Sequence, residues 1–216
     1  MRDTVFADRA AAGRRLGEEL AASDRLPPDA LVAGIPRGGV AVAAEVARVT
    51  GRPLRAVLAR KVGAPGHAEL AIGAVGPDGA AFVDRELATR IGARGEWLAR
   101  AVEEQRVAVT ERAARFPGVV TADEVSGRPV VVVDDGVATG STAAAVGAWL
   151  GHAGASRRVL ALPVGPPATL DRLADLYDEL FVLQQPRSFV AVGEWYRDFG
   201  QTTDDEVVRL LAELRG

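Results

Sequence analysis

The sequence has no cysteine, and its 216 residues include only two histidines and a single lysine. Without cysteine there are no disulfide bonds, no thiolate metal sites and no cysteine nucleophile, and two histidines leave little from which to build a histidine metal site. No window of about 18 apolar residues is present, and the N-terminus has no apolar signal core. We therefore expect a cytoplasmic protein with no membrane span.

Basic clusters with interleaved aromatic residues are also missing, and the net charge is −3. This charge balance gives no reason to expect a surface that binds nucleic acid. The apolar content of 48% and the charged content of 25% are those of an ordinary globular protein. We predict one domain over residues 1–216, since this length can bury a core of its own.

Apolar runs that indicate buried strands alternate with helical patterns along the chain. The runs are LVAGI (31–35), LRAVLARKV (54–62), LAIGAV (70–75), AAFV (80–83), VVVV (130–133), RVLALPV (158–164) and ELFVL (179–183). Several are rich in β-branched residues and do not alternate with polar ones, which is typical of strands that are covered on both faces. The pattern predicts an α/β fold with a mostly parallel twisted sheet flanked by helices.

Two segments depart from this alternation. Residues 84–116 form a long charged stretch with a narrow apolar stripe, which predicts a helical insertion, either a partly exposed arm or a solvated packing helix. Residues 184–202 hold four of the eleven aromatic residues and are a candidate hood over a ligand. Thr203 and Glu206 fit a capping box for a terminal helix.

Lys61 stands out because the other 25 of the 26 basic residues are arginine. A composition that trades lysine for arginine is expected to keep a lysine where an ammonium is needed that a planar guanidinium cannot replace. A chance surface lysine is the alternative interpretation.

The stretch VVVVDDGVATGST (130–142) carries the clearest chemical signal. In open α/β sheets, ligands bind beyond the carboxyl ends of the strands, where this stretch places Asp134 and Asp135. The small-residue loop and the helix start that follow suit a phosphate, although the Gly-Lys-Ser/Thr ending of a Walker loop is missing. A phosphate cradle beside two carboxylates fits a ribose 5-phosphate, because the carboxylates can accept hydrogen bonds that the ribose hydroxyls donate. The alternative is a pair of solvated carboxylates before a helix cap.

This stretch resembles the phosphoribosyl-pyrophosphate (PRPP) motif of the type I phosphoribosyltransferases. IPRGG (35–39) is similar to the pyrophosphate loop of that family, and ARKVG (59–63) to the Arg-Lys pair that opens its catalytic loop. The stretches GIPRGGV, RKVGAPG, AIGAVG and VGEWYRDFG, taken together with this motif, most resemble a group of bacterial phosphoribosyltransferase-like proteins. This resemblance covers most of residues 31 to 208. The resemblance implies the Rossmann-like fold of the type I enzymes.

The same resemblance implies transfer of the 5-phosphoribosyl group from PRPP to a nucleobase or similar small nitrogen acceptor, with release of pyrophosphate. It implies Mg²⁺, carried by the polyphosphate and held by Asp134 and Asp135 directly or through water, and we expect a homodimer. Asp134, Asp135, Arg37 and Lys61 would be the catalytic residues. The 5-phosphate would lie on Val137, Ala138, Thr139, Gly140, Ser141 and Thr142, and the pyrophosphate on Arg37, Gly38, Gly39, Arg60 and Lys61. Arg60 and Lys61 would arrive with a mobile lid over residues 63–66.

The acceptor is not identified by these motifs. A flat heterocycle could stack on Phe189, Trp195 or Tyr196, although a small aromatic core is an equal alternative. Asp198 resembles a metal–pyrophosphate residue of the hypoxanthine-guanine enzymes, with a spacing that differs by one. Those enzymes carry an aspartate where this sequence has Ala138, which argues against a standard 6-oxopurine enzyme. A PRPP- or nucleotide-binding regulatory protein without transferase activity is the alternative function.

Overall fold

The computed structural model describes the backbone of residues 6–214 and their side chains except at positions 68 and 69. Its α-helices are α1 (Arg9–Ala21), α2 (Gly38–Thr50), α3 (Arg85–Arg90), α4 (Gly95–Ala113), α5 (Ala122–Val125), α6 (Ser141–His152), α7 (Pro167–Leu173) and α8 (Asp204–Glu213). Its strands are β1 (Leu31–Gly34), β2 (Leu54–Ala56), β3 (Arg60–Ala64), β4 (His67–Val75), β5 (Ala81–Val83), β6 (Pro129–Val133), β7 (Arg157–Val164) and β8 (Glu179–Gln184). Short 3₁₀ helices span Ala174–Leu176 and Val192–Trp195.

Five strands form the main sheet in the order β2-β1-β6-β7-β8, and every neighbouring pair is parallel. The predicted mostly parallel α/β fold is therefore confirmed. β1 and β6 pair from Leu31↔Val130 to Gly34↔Val133, so both strands end at the same edge. The loops that follow β1 and β6 are therefore neighbours in space, although about 100 residues separate them in sequence.

Helices cover both faces of this sheet, which explains why β6 is apolar at consecutive positions. Val131 and Val133 pack with α1, α2 and α8 on one face, whereas Val130 and Val132 pack with α6 and α7 on the other. All four valines are completely buried. A strand in this position has no solvent face on which a polar residue could alternate.

The strands β3, β4 and β5 form a separate antiparallel sheet, which corrects one prediction. The run at 54–62 is not one strand, because the main-sheet strand ends at Ala56 and a new strand starts at Arg60. The residues at the break, AVLA (56–59), are all apolar and buried, so no polar residue marks the point where the chain leaves the main sheet. The predicted loop at 63–66 is a tight hairpin that turns at Pro65 and Gly66. Its role as a mobile lid stays a prediction.

The predicted insertion at 84–116 contains α3 and α4. Helix α4 packs against β3 and β4, with Val109 buried and Val107 exposed, so it behaves as a packing helix. Helix α6 contacts both sheets, and on this ground we propose that the chain is a single domain. Within residues 6–214, no helix has the length and apolar content that a membrane crossing requires.

Helices α1 and α2 pack closely because α1 presents two glycines to its neighbour. A Cβ on Gly13 would collide with the carbonyl oxygen of Val42 and lie 2.9 Å from Cβ of Glu45. A Cβ on Gly17 would lie 3.0 Å from Cβ of Val49. Small residues at this i,i+4 spacing let the two backbones approach, and this contact fixes the direction in which α1 begins.

We predict that Gly13→Ala destabilises the protein by about 1–3 kcal/mol, because the added methyl overpacks a backbone contact. Urea unfolding measures the change. Gly151→Ala in α6 is the matched control, since the nearest atom there is Nη1 of Arg158, the end of a flexible side chain. Equal losses in the two variants would contradict the close packing of α1 on α2.

Candidate functional site

The two aspartates lie where β6 ends, directly against the loop that follows β1. A Cβ on Gly39 would come within 2.7 Å of the Val133 carbonyl oxygen and 2.8 Å of Oδ1 of Asp134. A Cβ on Gly38 would overlap the Asp135 carboxylate and lie 2.8 Å from Nε of Arg9. The Gly-Gly pair is therefore required for the loop to pack on the acid pair.

Arg9, the first residue of α1, holds Asp135. Its Nε donates to Oδ2 of Asp135 at 2.8 Å, its Nη1 donates to the Gly200 carbonyl at 2.6 Å, and its guanidinium lies 3.8 Å from the centre of the Phe199 ring. The hydroxyl of Tyr196 donates to the Asp135 carbonyl at 2.5 Å. The N-terminal helix and the segment before α8 thus fix one aspartate together.

Both carboxyls are held in surroundings that oppose their ionisation. Burial, and then the charge of Asp135, raise the pKa of Asp134 well above its usual range, although the amide of Asp135 donates to its Oδ1 at 2.9 Å. Burial also raises the pKa of Asp135, and the Arg9 guanidinium opposes this rise. Such a pair costs free energy unless a ligand or cation comes to it, which is a feature of functional sites.

The backbone of the loop from Gly136 to Gly140 is held by hydrogen bonds to the end of β7 and to α7. The amide of Val137 donates to the Val164 carbonyl at 3.1 Å, and Oγ1 of Thr169 donates to the Ala138 carbonyl at 2.7 Å. Gly140 has a left-handed φ of 71° and is the N-cap of α6. The amides of the first helical turn have no acceptor within a helix, so this end of α6 suits an anion.

A cavity of about 300 Å³ collects residues from both neighbouring loops and from β3. Its walls include six predicted site residues: Arg37, Gly38, Arg60, Asp134, Asp135 and Thr142. The peptide bond between Pro36 and Arg37 is cis. Helix α2 begins at Gly38 and α6 at Ser141, so two helix N-termini lie at the same edge of the sheet and favour negative charge there.

Lys61 lies beside this cavity on β3. With Arg60, Ser141 and Thr142 it lines a second cavity of about 340 Å³, and Arg60 and Thr142 belong to both. The lining of a third cavity of about 720 Å³ includes apolar residues of β4, β5 and α6 together with Lys61, Ala138, Thr139, Gly140 and Ser141. The only lysine is thus placed next to the predicted phosphate loop.

The predicted acceptor residues are not brought to the acid-pair cavity. Tyr196 is buried and packs between Phe6 and Phe199 at ring-centre distances of 5.5 and 5.0 Å. Trp195 packs in the same cluster, and within the described residues its Nε1 has no hydrogen-bond acceptor. Phe189 is half-buried outside the residues that line this cavity. Asp198 lines a different cavity, shared with Arg9, and its Oδ1 accepts from the Gly200 amide.

Three contributors to the site were missed by the sequence argument. Arg9 lies 126 residues before Asp135, and no local pattern connects them. Gln105 and Arg112 belong to α4 and line the cavities described above. The spacing of Gln105, Val109 and Arg112 places them on one helix face. Because Val109 is apolar, this spacing could have indicated that Gln105 and Arg112 face the protein, unlike the solvated charged residues of α4.

A divalent cation fits the chemistry of the site only together with a ligand. Among the side chains that the structure describes, no group of three or more His, Cys, Asp and Glu is arranged to hold a metal ion. Asp134 and Asp135 supply carboxylate oxygens, which suit Mg²⁺, but an octahedral ion would need phosphate oxygens and water to complete its shell. The donor set is therefore compatible with a metal that arrives bound to a polyphosphate.

Comparison with protein-family models finds one match that covers most of the chain. The model described as a phosphoribosyl transferase domain matches residues 7–197. This range includes the acid pair, the loop at 136–140, Lys61 and Arg9.

Two curated relatives have names that agree with this match, and one solved structure resembles nearly the whole chain. Two curated Mycobacterium tuberculosis proteins, from strains CDC 1551 and H37Rv, are named "Putative phosphoribosyl transferase" MT0597 and Rv0571c, and each is 40% identical over 208 residues. The match covers 96% of this chain and 46% of each relative, so the chain spans about half of their length. The crystal structure of TT1426 from Thermus thermophilus is 41% identical, with a TM-score of 0.85 over 98% of this chain and 99% of that one.

We predict that Asp134→Asn stabilises the unliganded protein at neutral pH. A carboxyl whose pKa is raised by folding costs folding free energy when it is ionised, and the cost disappears below about pH 4, where both states are protonated. Asparagine keeps the oxygen that accepts from the Asp135 amide. The thermal midpoint should therefore exceed that of the wild type at pH 7 and converge with it in acid.

Asp178→Asn is the control of opposite sign. The hydrogen bond from Arg158 lowers the pKa of Asp178, so its ionised form stabilises the fold above the ordinary carboxyl pKa. This variant should melt below the wild type at pH 7 and approach it in acid. An Asp134→Asn variant that is less stable than the wild type at pH 7 would refute the electrostatic description of the acid pair.

Proposed function

The chain belongs to the phosphoribosyl transferase family, and from this premise we propose that it transfers the 5-phosphoribosyl group of PRPP to a small nitrogen nucleophile, such as a nucleobase, with release of pyrophosphate. One observation carries the proposal. The acid pair, Thr142 at the start of α6 and three arginines line a single cavity, which supports binding of a sugar that carries phosphates at two ends.

The sugar would bind across the end of β6. Asp134 and Asp135 accept hydrogen bonds from the ribose 2- and 3-hydroxyls, because ionised carboxylates make strong, charge-assisted bonds with such donors. Residues Val137 to Thr142 wrap the 5-phosphate with backbone amides, hydroxyls and the N-terminus of α6. Arg9 keeps Asp135 in position for this contact through its 2.8 Å ion pair.

The pyrophosphate would lie on the opposite side of the sugar, against Arg37, Gly38, Gly39, Arg60 and Lys61. In the reaction the nitrogen lone pair forms a bond to C1, and the bond from C1 to the pyrophosphate oxygen breaks with its electrons on the leaving group. The cationic side chains stabilise the charge that develops on the leaving oxygen. Holding donor and acceptor together supplies much of the remaining rate enhancement.

Mg²⁺ bound to the pyrophosphate, with Asp134 and Asp135 as candidate ligands, would neutralise further charge on the leaving group. The residues of the chain then orient the sugar, and closure of the β3–β4 hairpin over the cavity would exclude water. A homodimer and a cytoplasmic location, both expected from the sequence, stay predictions.

The acceptor site is proposed only as a class. A nitrogen heterocycle suits the reaction, and Ala138 supplies no carboxylate to a 6-oxopurine ring. Phe189 and Trp195 remain candidates for stacking if the segment at 184–202 moves toward the cavity on binding. Tyr196 is a weaker candidate, because its hydroxyl and ring are already engaged by Asp135, Phe6 and Phe199.

We predict that a screen of purines and pyrimidines with PRPP and Mg²⁺ finds at least one acceptor that releases pyrophosphate. With that acceptor, Lys61→Ala should lower kcat/KM by about 100-fold, as removal of one donor to a developing anion usually does. Lys61→Arg is the matched control. It keeps the charge but not the compact ammonium, and it should recover only part of the activity.

The competing outcomes have different meanings. PRPP binding without turnover on any acceptor would favour a PRPP-binding regulatory protein of the same fold. If the wild-type chain does not bind PRPP in the presence of Mg²⁺, the proposed function is wrong.

A further inference from the structure

Three arginines from three separate elements meet in the acid-pair cavity. Arg37 precedes α2, Arg60 begins β3, and Arg112 lies in the last turn of α4. The motifs of the sequence single out Arg37 and Arg60 but give no reason to choose Arg112. The structural ground for choosing Arg112 is that it lies on the face of α4 that reaches the cavity.

Helix α4 turns one continuous face toward β3 and the loop that follows β1. Gln105, Val109 and Arg112 follow one another at i, i+4 and i+7, which places them on the same side of a helix. Val109 is 1% exposed and anchors this face in the core. Oε1 of Gln105 accepts from Nε of Arg60 at 3.1 Å, and Nη2 of Arg112 donates to the Pro36 carbonyl at 3.2 Å. Helix α4 therefore positions two of the three guanidinium groups.

The three guanidinium groups repel one another in a partly buried place. Burial, and then the charge of Arg37, lower the pKa of Arg112, and Arg60 adds to this effect. Asp204 opposes the shift, and its Oδ1 lies 3.7 Å from Nη1 of Arg37. Because an arginine stays protonated even here, the repulsion is relieved by an anion and not by loss of a proton.

A diphosphate matches this arrangement better than a single carboxylate does. Arginine forms paired hydrogen bonds with phosphate oxygens, and several guanidinium groups can share one polyanion. Thr142 and the start of α6 offer a further anion-binding element in the same cavity, which Asp134 and Asp135 also line. The cavity thus combines three guanidinium groups with a helix N-terminus, and we take these as the places for the pyrophosphate and for the single phosphate.

We propose that Arg112 of α4 is a pyrophosphate-binding residue that completes a three-arginine site with Arg37 and Arg60. The inference rests on the proposed function for the identity of the anion. It assigns a role to the helical insertion, which then forms a wall of the binding site in addition to packing on β3 and β4.

Calorimetric titration of the whole chain with pyrophosphate, and separately with ribose 5-phosphate, both with Mg²⁺, tests the proposal. Arg112→Gln should weaken pyrophosphate binding by about tenfold or more, the usual cost of a charged hydrogen-bonding partner. Binding of ribose 5-phosphate should change by less than about twofold, since interactions at separate places are nearly additive. Arg112→Lys keeps the charge without the planar guanidinium, so its pyrophosphate affinity should lie between those of the wild type and of Arg112→Gln. This variant replaces the glutamine variant if the latter does not fold.

Arg100→Gln removes the same charge from an exposed position of the same helix and should leave both affinities unchanged. If the wild type binds pyrophosphate and the Arg112 variants bind it equally well, the inference is wrong while the proposed function stands. If the wild type binds pyrophosphate through Arg112 but does not bind ribose 5-phosphate, the inference stands and the proposed function fails. A wild type that does not bind pyrophosphate would overturn the inference.

Discussion

The ion pair between Arg9 and Asp135 connects three parts of the chain that are remote in sequence. Arg9 begins the N-terminal helix, Asp135 ends the central strand, and the Gly200 carbonyl that accepts the second bond of Arg9 belongs to the segment before α8. Burial opposes the charge of both aspartates, so the guanidinium sustains a carboxylate pair that the surroundings disfavour. The position of α1, set by the glycines that face α2, is therefore part of the construction of the site.

The unliganded cavity groups like charges together. Two aspartates lie side by side at one place, and three arginines converge close by. Each group is costly alone, since like charges in a partly buried place raise the free energy of the folded state. A sugar with hydroxyls in its middle and phosphates at its ends would relieve both costs. The grouped charges therefore lower the stability of the unliganded protein and favour binding of the ligand, as is common where a site must recognise a charged ligand.

The sequence was sufficient to predict the parts of the structure that are formed by consecutive residues. The strand, acid pair, loop and helix of residues 130–142 follow one another directly, so their placement at the sheet edge and their family resemblance could be predicted together. The second sheet could not be predicted, because residues 56–59 stay apolar where the chain leaves one sheet for the other. Arg9 and Arg112 reach the cavity only through tertiary packing. Tyr196 was predicted from its type as a stacking residue, whereas burial against Phe6 and a bond to the Asp135 carbonyl occupy it.

The central claim is that the acid pair and the loop after it bind ribose 5-phosphate, and a crystal structure with that ligand tests it most directly. We expect phosphate oxygens within about 3 Å of backbone amides between Ala138 and Thr142, and the ribose hydroxyls at the same range from Asp134 and Asp135. A phosphate that binds instead among Arg37, Arg60 and Arg112, with the hydroxyls away from both aspartates, would contradict the account.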